Sequence, residues 1–303
     1  MQHSRRTFIK QSALALTAAS ILPGSLLAGV TAKETLGLQL YSVREDMGKD
    51  PSGTLKKLAE MGYKHVEHAN YVEHKFYGYE PKEFKKLLHG LGLKMPSGHT
   101  RMNAEDYDNT KKDFTDSWKK TVDDAALLGQ NYVISPWLDD SLRKNYDDLV
   151  RYLEVFNKCG ELCKKSGMKF GYHNHDFEFK VKLNDTTVFD IILNNTDPSL
   201  VAQQLDIGNM YNADAKALDI VNKYPGRFIS MHVKDEIKST GKDEPYESTI
   251  LGKGILPVKE IIDLGRKSGG TTLFIIEQES YQGMAPVDCA KEDLKVINEW
   301  GYK

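Results

Sequence analysis

Apolar segments of strand length alternate with amphipathic segments of helical length, and this alternation constrains the fold more than any other feature of the sequence. Eight strand–helix pairs are predicted. Their strands begin roughly 35 residues apart, which leaves enough chain for the crossover that parallel strands require. The predicted strands are 36–41, 64–68, 93–99, 131–135, 169–175, 201–205, 228–233 and 272–276. The predicted helices are 51–61, 81–91, 117–128, 146–166, 187–193, 213–224, 257–267 and 286–300.

Eight parallel strands are the number that closes a barrel. A doubly wound open sheet is the structural alternative. Such a sheet more often carries a glycine-rich phosphate-binding turn after its first strand, and the sequence G-L-Q-L-Y-S-V-R at 37–44 contains no such turn. We therefore expect an α/β fold, a single (β/α)8 TIM barrel over residues 29–303.

The first 28 residues have the composition of an export signal. Residues 4–10 read S-R-R-T-F-I-K, an apolar run follows at 13–22, and small residues lead to Ala28. Basic, apolar and small-residue zones in this order predict a cleavable signal, and the paired arginines resemble the bacterial twin-arginine signal. An uncleaved anchor helix is the alternative, but the apolar run is short for a membrane span. We expect a periplasmic protein without a membrane anchor after cleavage.

Charge and cysteine content exclude several classes of partner. The 303 residues carry a formal net charge of −2, and residues 29–303 hold 38 basic and 43 acidic side chains. A mildly acidic surface is a poor match for a polyanion, so we expect no nucleic-acid partner. Cys159 and Cys163 lie four residues apart on a predicted helix, a spacing that seldom suits a disulfide, and Cys289 is isolated. We expect all three to be small buried residues.

Polar side chains cluster where the predicted strands end, which is where the active sites of such barrels lie. The densest stretch is K-F-G-Y-H-N-H-D-F-E-F at 169–179, with two imidazoles, an amide and two carboxylates in six residues. The strand-end residues are Glu67, His68, His99, Arg101, His173, His175, Asp206, Asn209, His232, Lys234, Asp235, Glu277 and Glu279.

Three of these residues, Asp206, His232 and Glu277, come at the same relative height of successive strands. Oxygen and imidazole ligands of this kind surround divalent ions, so we predict a site for one ion of Mn, Co, Zn or Mg. A fourth ligand is expected from the fifth strand. Alternation places His173 and His175 on the same side of that strand, and the residues themselves do not choose between them.

From Leu36 onward the chain resembles the sugar phosphate isomerase/epimerase superfamily of xylose isomerase-like barrels. The matching segments are L-G-L-Q-L-Y-S-V-R, G-Y-K-H-V-E, Y-H-N-H-D-F-E-F, Q-L-D-I-G-N, H-V-K-D and I-I-E-Q-E. The resemblance implies that one divalent ion is held by His173, Asp206, His232 and Glu277. Many relatives have Glu-Asn-His on strand five, where this chain has His173, and many have a histidine at the position of Asn209. The resemblance therefore does not imply simple ketohexose epimerisation by two facing glutamates.

A metal ion that chelates a ketone and its neighbouring hydroxyl stabilises the enediolate formed when a base removes the intervening proton. We predict Glu277 as a catalytic residue, with His175 and Lys234 as candidate partners. The expected activity is that of an isomerase or epimerase acting on a sugar or keto-glycoside. A keto-glycoside lyase or hydratase, and a non-catalytic periplasmic sugar-binding barrel, are the alternatives.

We predict four substrate-binding residues for this carbohydrate substrate: His99, Arg44, Trp137 and Glu67. Arg44 could equally form a loop ion pair with Glu45 or Asp46, and Trp137 could equally be a packed loop aromatic. We expect Glu178 to support one of the histidines of strand five rather than to act as a base. A homo-oligomer is left open.

Overall fold

A computed structural model describes residues 34–241 and 244–302, which form a closed barrel of eight parallel strands. Each strand pairs with the next along the chain, and the eighth closes on the first. The strands are β1 Thr35–Gln39, β2 His65–His68, β3 Lys94–His99, β4 Tyr132–Ser135, β5 Lys169–His173, β6 Val201–Asp206, β7 Ser230–Val233 and β8 Leu273–Ile276. The predicted barrel is therefore confirmed, whereas the predicted signal at 1–28 lies outside the described residues.

A helix follows each strand on the outside of the barrel. These helices are α1 Pro51–Met61, α2 Pro81–Gly90, α3 Asp116–Leu128, α4 Tyr146–Lys164, α5 Val188–Asn195, α6 Ala217–Lys223, α7 Val258–Leu264 and α8 Pro286–Glu299. Proline occupies the first position of α1, where the missing N–H costs nothing, and Gly62 ends that helix with a φ of 115°. Shorter helical segments are Leu40–Val43, Arg44–Lys49, Ala104–Asp106, Asp140–Arg143, Phe177–Lys180, Asn209–Ala213 and Gly265–Gly269.

Several predicted boundaries differ from the structure, and two of them have clear local reasons. The helix predicted at 213–224 begins only at Ala217, because Asp214 adopts a left-handed φ of 57° that separates α6 from the turn Asn209–Ala213. The strand predicted at 169–175 ends at His173. After it, the Asn174 side chain bonds the backbone N–H and carbonyl of Asp206 at 3.0 and 3.1 Å, in place of a backbone ladder.

Four two-stranded hairpins, which were not predicted from the sequence, lie in the loops that follow β2, β3, β5 and β7. They pair Tyr71–Val72 with Lys75–Phe76, Tyr107–Asp108 with Asp113–Phe114, Lys182–Leu183 with Thr186–Thr187, and Asp235–Lys238 with Tyr246–Thr249. In the third, Asn184 and Asp185 both have positive φ, as a two-residue type I′ turn requires. All four hairpins leave the barrel at the carboxyl ends of its strands.

Side chains along each strand alternate between facing the helices and facing the inside of the barrel, so the protein has two buried regions. Outward residues such as Leu38, Val66 and Leu205 belong to the apolar core between strands and helices. Their neighbours Gln39 and Glu67 are also buried, and hydrogen bonds within the barrel satisfy them. The free cysteines Cys159, Cys163 and Cys289 are buried, as expected. Within the described residues, no helix is both long enough and apolar enough to cross a membrane.

Asp293 makes the stability of this barrel depend on pH. It is buried on α8, where Oδ1 accepts from the Leu251 N–H at 2.9 Å and Oδ2 has no hydrogen-bond partner. Burial raises its pKa from 3.8 to about 7, so the folded protein holds this proton more tightly than the unfolded chain. The free energy of unfolding therefore falls as pH rises from about 4 to about 7, by about 4 kcal/mol at most from this group.

Asp293→Asn is expected to remove this pH-dependent fall in the free energy of unfolding, because an amide stays neutral and its oxygen still accepts from the Leu251 N–H. In urea unfolding, the variant should gain more stability over the native protein at pH 8 than at pH 5, where only about a third of the fall has occurred. Asp123→Asn, at an exposed position of α3, is the control and should change neither value. An equal effect of Asp293→Asn at both pH values would contradict the assignment.

Candidate active site

The carboxyl ends of β5 to β8 bring the predicted metal ligands together. Asp206 and His232 are register partners on β6 and β7, and Glu277 follows β8 directly. His232 Nδ1 lies 3.1 Å from Glu277 Oε2 and 3.6 Å from Asp206 Oδ2. One ligand atom from each of the three residues falls within 4.8 Å of the others, and all three residues are buried. The strand geometry alone thus assembles a compact set of two carboxylates and one imidazole.

The fourth predicted ligand is better placed as His173 than as His175. His173 is the last residue of β5, and its Nε2 lies 3.9 Å from Asp206 Oδ2. Its Nδ1 is 3.0 Å from Gln204 Oε1, a contact that leaves Nε2 free to face Asp206. His175 lies beyond the strand, with its ring against Trp137 and Phe177. The geometry therefore favours His173, an alternative that the residues alone left open.

A tight turn after β6 fixes the Asp206 carboxylate. Oδ1 accepts from the backbone N–H groups of Gly208 and Asn209 at 2.9 and 2.7 Å. A Cβ at Gly208 would come within 2.3 Å of Glu236 Oε1 and 2.5 Å of Lys234 Cδ, so only glycine allows this close approach. With Oδ1 occupied by the turn, Oδ2 is the atom left to face the other ligands.

Lys234 places a fully buried ammonium group among the carboxylates. Its hydrogen bonds go to Asn209 Oδ1 at 3.0 Å and Glu279 Oε2 at 3.2 Å. It also forms ion pairs with Glu277 Oε2 at 2.9 Å and Asp206 Oδ2 at 3.1 Å, although neither has the angles of a hydrogen bond. Burial opposes the charge, but the surrounding carboxylates outweigh it and raise the pKa of Lys234 well above its usual value. This lysine stays protonated.

Glu67 lies beneath the site and does not line the cavity above it, which corrects its predicted role in binding substrate. Its Oε1 faces His232 Nε2 at 2.6 Å, and its Oε2 accepts from Ser97 and from Gln204. Burial would raise the pKa of this carboxyl, but His99 and His232 lower it to about 2. A carboxylate in this position orients the imidazole and, once a metal ion replaces the Nδ1 proton, keeps the remaining proton on Nε2, with Nδ1 directed at Asp206 and Glu277.

The imidazoles of the site differ in charge. For His232, burial opposes protonation, but Glu277 and Glu67 on either side outweigh it and raise the pKa well above its usual value. For His175, burial lowers the pKa to about 4, so this ring is neutral at neutral pH. His175 Nδ1 has no hydrogen-bond partner. The backbone N–H of His175 donates to Glu178 Oε2 at 2.9 Å, so Glu178 supports this residue through its backbone and does not contact the ring of either histidine.

A cavity of about 460 Å³ opens above these residues at the carboxyl ends of the strands. His99, Trp137, His173, His175, Glu277 and Glu279 contribute to its wall. A substrate in the cavity could therefore reach His99 and Trp137, the two predicted substrate-binding residues in its wall. Arg44 is not part of the wall, because its guanidinium donates to Tyr281 Oη at 2.6 Å and to the Glu279 carbonyl at 3.2 Å. It does not form the alternative ion pair with Glu45 or Asp46, and its predicted contact with substrate stays a prediction.

The donor set fits a divalent ion. Asp206 Oδ2 is buried and accepts no hydrogen bond, and the Lys234 ammonium at 3.1 Å is its nearest positive charge, so the oxygen keeps a lone pair that a metal ion can use. Asp206, His232, Glu277 and His173 would hold the ion, a mixture of oxygen and imidazole nitrogen that suits Zn, Mn or Co. A second group of imidazoles, His99, His173 and His232, also converges within 4.8 Å and shares His232 with the first.

Glu67→Gln is expected to weaken divalent-ion affinity about 10- to 100-fold, because a neutral amide orients the His232 ring less firmly. Isothermal titration with Mn²⁺ measures this change. Glu60→Gln, at an exposed position of α1, is the control and should leave the affinity unchanged. Unaltered affinity in Glu67→Gln would show that the contact beneath His232 does not support metal binding.

Several residues of the site were missed from the sequence. Gln204 Oε1 forms hydrogen bonds with His99 Nε2 at 2.7 Å and with His173 Nδ1 at 3.0 Å. It was missed because it lies inside a predicted strand, two residues before Asp206, where a polar side chain gives no sign of a functional role. Asn209 and Glu279 were noted at strand ends without a role, and both bind Lys234. Tyr41 and Val72 also line the cavity. Apart from their position after a predicted strand, nothing in the sequence indicated that they belong to the site.

Comparisons with known proteins agree with the barrel fold. The model of a family described as xylose isomerase-like TIM barrel matches residues 55–300. An inosose dehydratase of Clostridium perfringens is 24% identical over 274 residues, which cover 85% of this chain and 88% of that protein. The solved structure of a sugar phosphate isomerase/epimerase from Parabacteroides distasonis is 26% identical, with a TM-score of 0.74, and covers 89% of this chain and 97% of that one. The fold is shared at 11% identity with the IOLI protein solved with a zinc atom, where the TM-score is 0.68 and the coverage 88% and 97%.

Proposed function

The chain belongs to the xylose isomerase-like TIM barrel family, and from this membership and the geometry of the site we propose that it is a divalent-metal-dependent enzyme. The proposed reaction removes a proton from the carbon next to the ketone of a sugar or keto-glycoside. The observation that carries the proposal is the convergence of Asp206, His232 and Glu277, of which Glu277 lines an open cavity. A non-catalytic sugar-binding barrel would not need this buried and strongly charged set.

We assign the ion to Asp206, His232, Glu277 and His173. When bound there, a divalent ion would polarise the ketone oxygen and stabilise the negative charge that develops on it. The pKa of Glu277 is lowered, because Lys234 and His232 together outweigh the effect of burial, so this carboxylate is ionised and able to accept a proton. It lines the cavity and is our candidate for the base.

Lys234 and His175 serve different purposes in this proposal. Lys234 is a fixed positive charge beside Glu277 and, because it stays protonated, acts by electrostatics rather than as a proton donor. His175 is a neutral imidazole that lines the cavity, which suits the exchange of a proton with substrate.

Two outcomes can follow proton removal, and we favour elimination. Glu277 takes the proton, a carbon–carbon double bond forms, and the C–O bond at the next carbon breaks. The departing oxygen takes up a proton from solvent and leaves as water or an alcohol, and Glu277 then releases its proton to solvent. Elimination needs only one base. This requirement agrees with the sequence, because this chain has His173 at the position where many relatives have a second carboxylate. Relatives named inosose dehydratase, matched over most of their length, also support it. Isomerisation or epimerisation is the second candidate, supported by the resemblance to a solved sugar phosphate isomerase/epimerase.

We further propose that the enzyme is periplasmic, on the basis of the twin-arginine pattern in residues 1–28. An unphosphorylated substrate agrees with this location. Arg101 is the one basic side chain other than histidine in the cavity wall formed by the described residues, and it pairs with Asp139 at 3.0 Å, while Glu277 and Glu279 line the same wall. A phosphate group would meet carboxylates there without a free cation.

Product analysis separates the two outcomes. Purified protein with Mn²⁺ is incubated with an inosose, a ketohexose and a 3-keto-glucoside, whose anomeric oxygen lies two carbons from the ketone. Elimination releases water or an alcohol and gives a conjugated enone that absorbs ultraviolet light, whereas isomerisation gives one product of unchanged composition. The absence of both products with all three substrate classes would contradict the proposed function.

A further inference from the structure

The cavity extends well beyond the metal-binding residues. Those residues lie at the carboxyl ends of β5 to β8, whereas most of the cavity wall is contributed by residues at the carboxyl ends of β1 to β4, including Tyr41, Val72 and Trp137. At about 460 Å³ the cavity falls within the range that holds a drug-sized ligand, which is larger than a single sugar ring. A monosaccharide that reacts at Glu277 would therefore leave the β1–β2 side of the cavity unfilled.

Two side chains on that side are both apolar and exposed. Among the described residues, the large hydrophobic side chains that are exposed are Tyr41 at 43%, Val72 at 60%, Ile255 at 51% and Met284 at 39%. Tyr41 and Val72 line the cavity, whereas Ile255 lies elsewhere on the surface. Exposed apolar side chains within a concave site are typical of ligand contacts rather than of packing.

Both side chains have rigid supports. The Arg44 guanidinium lies 4.6 Å from the centre of the Tyr41 ring and is itself held by Tyr281 and by the Glu279 carbonyl. Arg44 therefore stabilises a wall of the cavity. A surface whose position is fixed before binding loses little conformational entropy when a ligand covers it.

The hairpin that carries Val72 is anchored on both of its strands. Phe76 is buried and stacks on Phe84, and the Tyr71 ring packs on Phe76. The Tyr71 hydroxyl donates to Asp124 Oδ2 at 2.6 Å, which ties the hairpin to α3. The exposed valine is therefore held in place by buried neighbours.

We propose that Tyr41 and Val72 form a subsite for an apolar or aromatic group joined to the reacting sugar through oxygen, so that the substrate is a keto-glycoside rather than a free keto-sugar. This assignment rests on the proposed function, in which the reacting ring sits at Glu277. The attached group then lies on the β1–β2 side of the cavity, and in elimination it is the alcohol that departs.

Binding measurements on glycosides without a ketone test the subsite separately from the reaction. Calorimetry on the purified protein compares phenyl β-glucoside, methyl β-glucoside and cellobiose. We expect phenyl β-glucoside to bind about tenfold more tightly than methyl β-glucoside, and cellobiose to resemble the methyl compound. Tyr41→Ala and Val72→Asp should each reduce the ratio of phenyl to methyl affinity toward one. Ile255→Asp introduces the same charge at a comparably exposed position outside the cavity and should leave the ratio unchanged.

Equal affinities for the phenyl and methyl compounds, or a preference that both variants retain, would overturn the subsite. Preferential binding of cellobiose would overturn its apolar character in favour of a second sugar ring. Failure of the proposed function gives a different pattern, in which the phenyl preference is present but no keto-sugar is converted. Circular dichroism of each variant establishes that a lost preference does not reflect unfolding.

Discussion

Replacing Asp206 by asparagine is expected to lower the rate of proton abstraction about a thousandfold, equivalent to about 4 kcal/mol of transition-state stabilisation. The amide oxygen of the variant can still accept from the Gly208 and Asn209 N–H groups, which preserves the turn after β6. The amide nitrogen replaces Oδ2, the buried oxygen without a hydrogen bond, and a neutral donor cannot bind a cation. The substitution therefore removes the oxygen that we propose as a metal ligand and keeps the hydrogen bonds of the turn.

Two measurements check this expectation. Metal content after dialysis against Mn²⁺ should fall from one ion per native chain to near zero, and turnover of a keto-sugar should fall with it. Asp219→Asn, at an exposed position of α6, removes the same charge far from the site and should change neither value. A variant that keeps its ion, or that loses the ion and keeps full turnover, would show that Asp206 is not a functional ligand.

Lys234→Met is expected to reduce the free energy of unfolding by about 3–5 kcal/mol in the presence of a chelator, because it leaves buried carboxylates without their cation. Asp206 and Glu277 are both buried within 3.1 Å of the ammonium nitrogen. A divalent ion supplies positive charge to the same oxygens and stabilises the folded state by mass action. Saturating Mn²⁺ should therefore stabilise the variant more than it stabilises the native protein.

Urea unfolding with chelator and with Mn²⁺ measures both effects. Lys223→Met is the matched control, since Lys223 pairs with Asp190 at 2.9 Å while remaining half exposed, and an exposed pair contributes at most about 1 kcal/mol. If Lys234→Met is no less stable than Lys223→Met in chelator, the buried charge cluster does not depend on this lysine. If Mn²⁺ stabilises the Lys234 variant no more than the native protein, the ion does not share its carboxylates.

The barrel could be predicted because strand and helix periodicity is a local property that repeats eight times. Proline at the start of α1 and glycine at its end mark its boundaries directly in the sequence. The hairpins at the mouth of the barrel could not be read in the same way. Their strands are two to four residues long, and the Glu73-His74 turn contains no residue that favours positive φ strongly.

The candidate ligands could be located because the carboxyl ends of parallel strands meet at one end of a barrel. How deeply each of these side chains lies within the barrel could not be predicted. Glu67 and His99 both stand at strand ends, yet Glu67 lies beneath the site, bonded on both oxygens, while His99 reaches the cavity. Arg44 was likewise unpredictable, because its partner Tyr281 is distant in sequence and comes near only when β8 closes on β1.

The most direct test of the proposed chemistry is the exchange of the proton next to the ketone of a keto-sugar in deuterated water, followed by proton NMR. Protein loaded with Mn²⁺ is predicted to catalyse exchange, protein stripped by chelator to lose it, and re-addition of Mn²⁺ to restore it in the native chain but not in Asp206→Asn. Exchange that persists at the same rate in the stripped protein, or that is absent for every keto-sugar with Mn²⁺ bound, would contradict a metal-dependent proton abstraction at Asp206, His232 and Glu277.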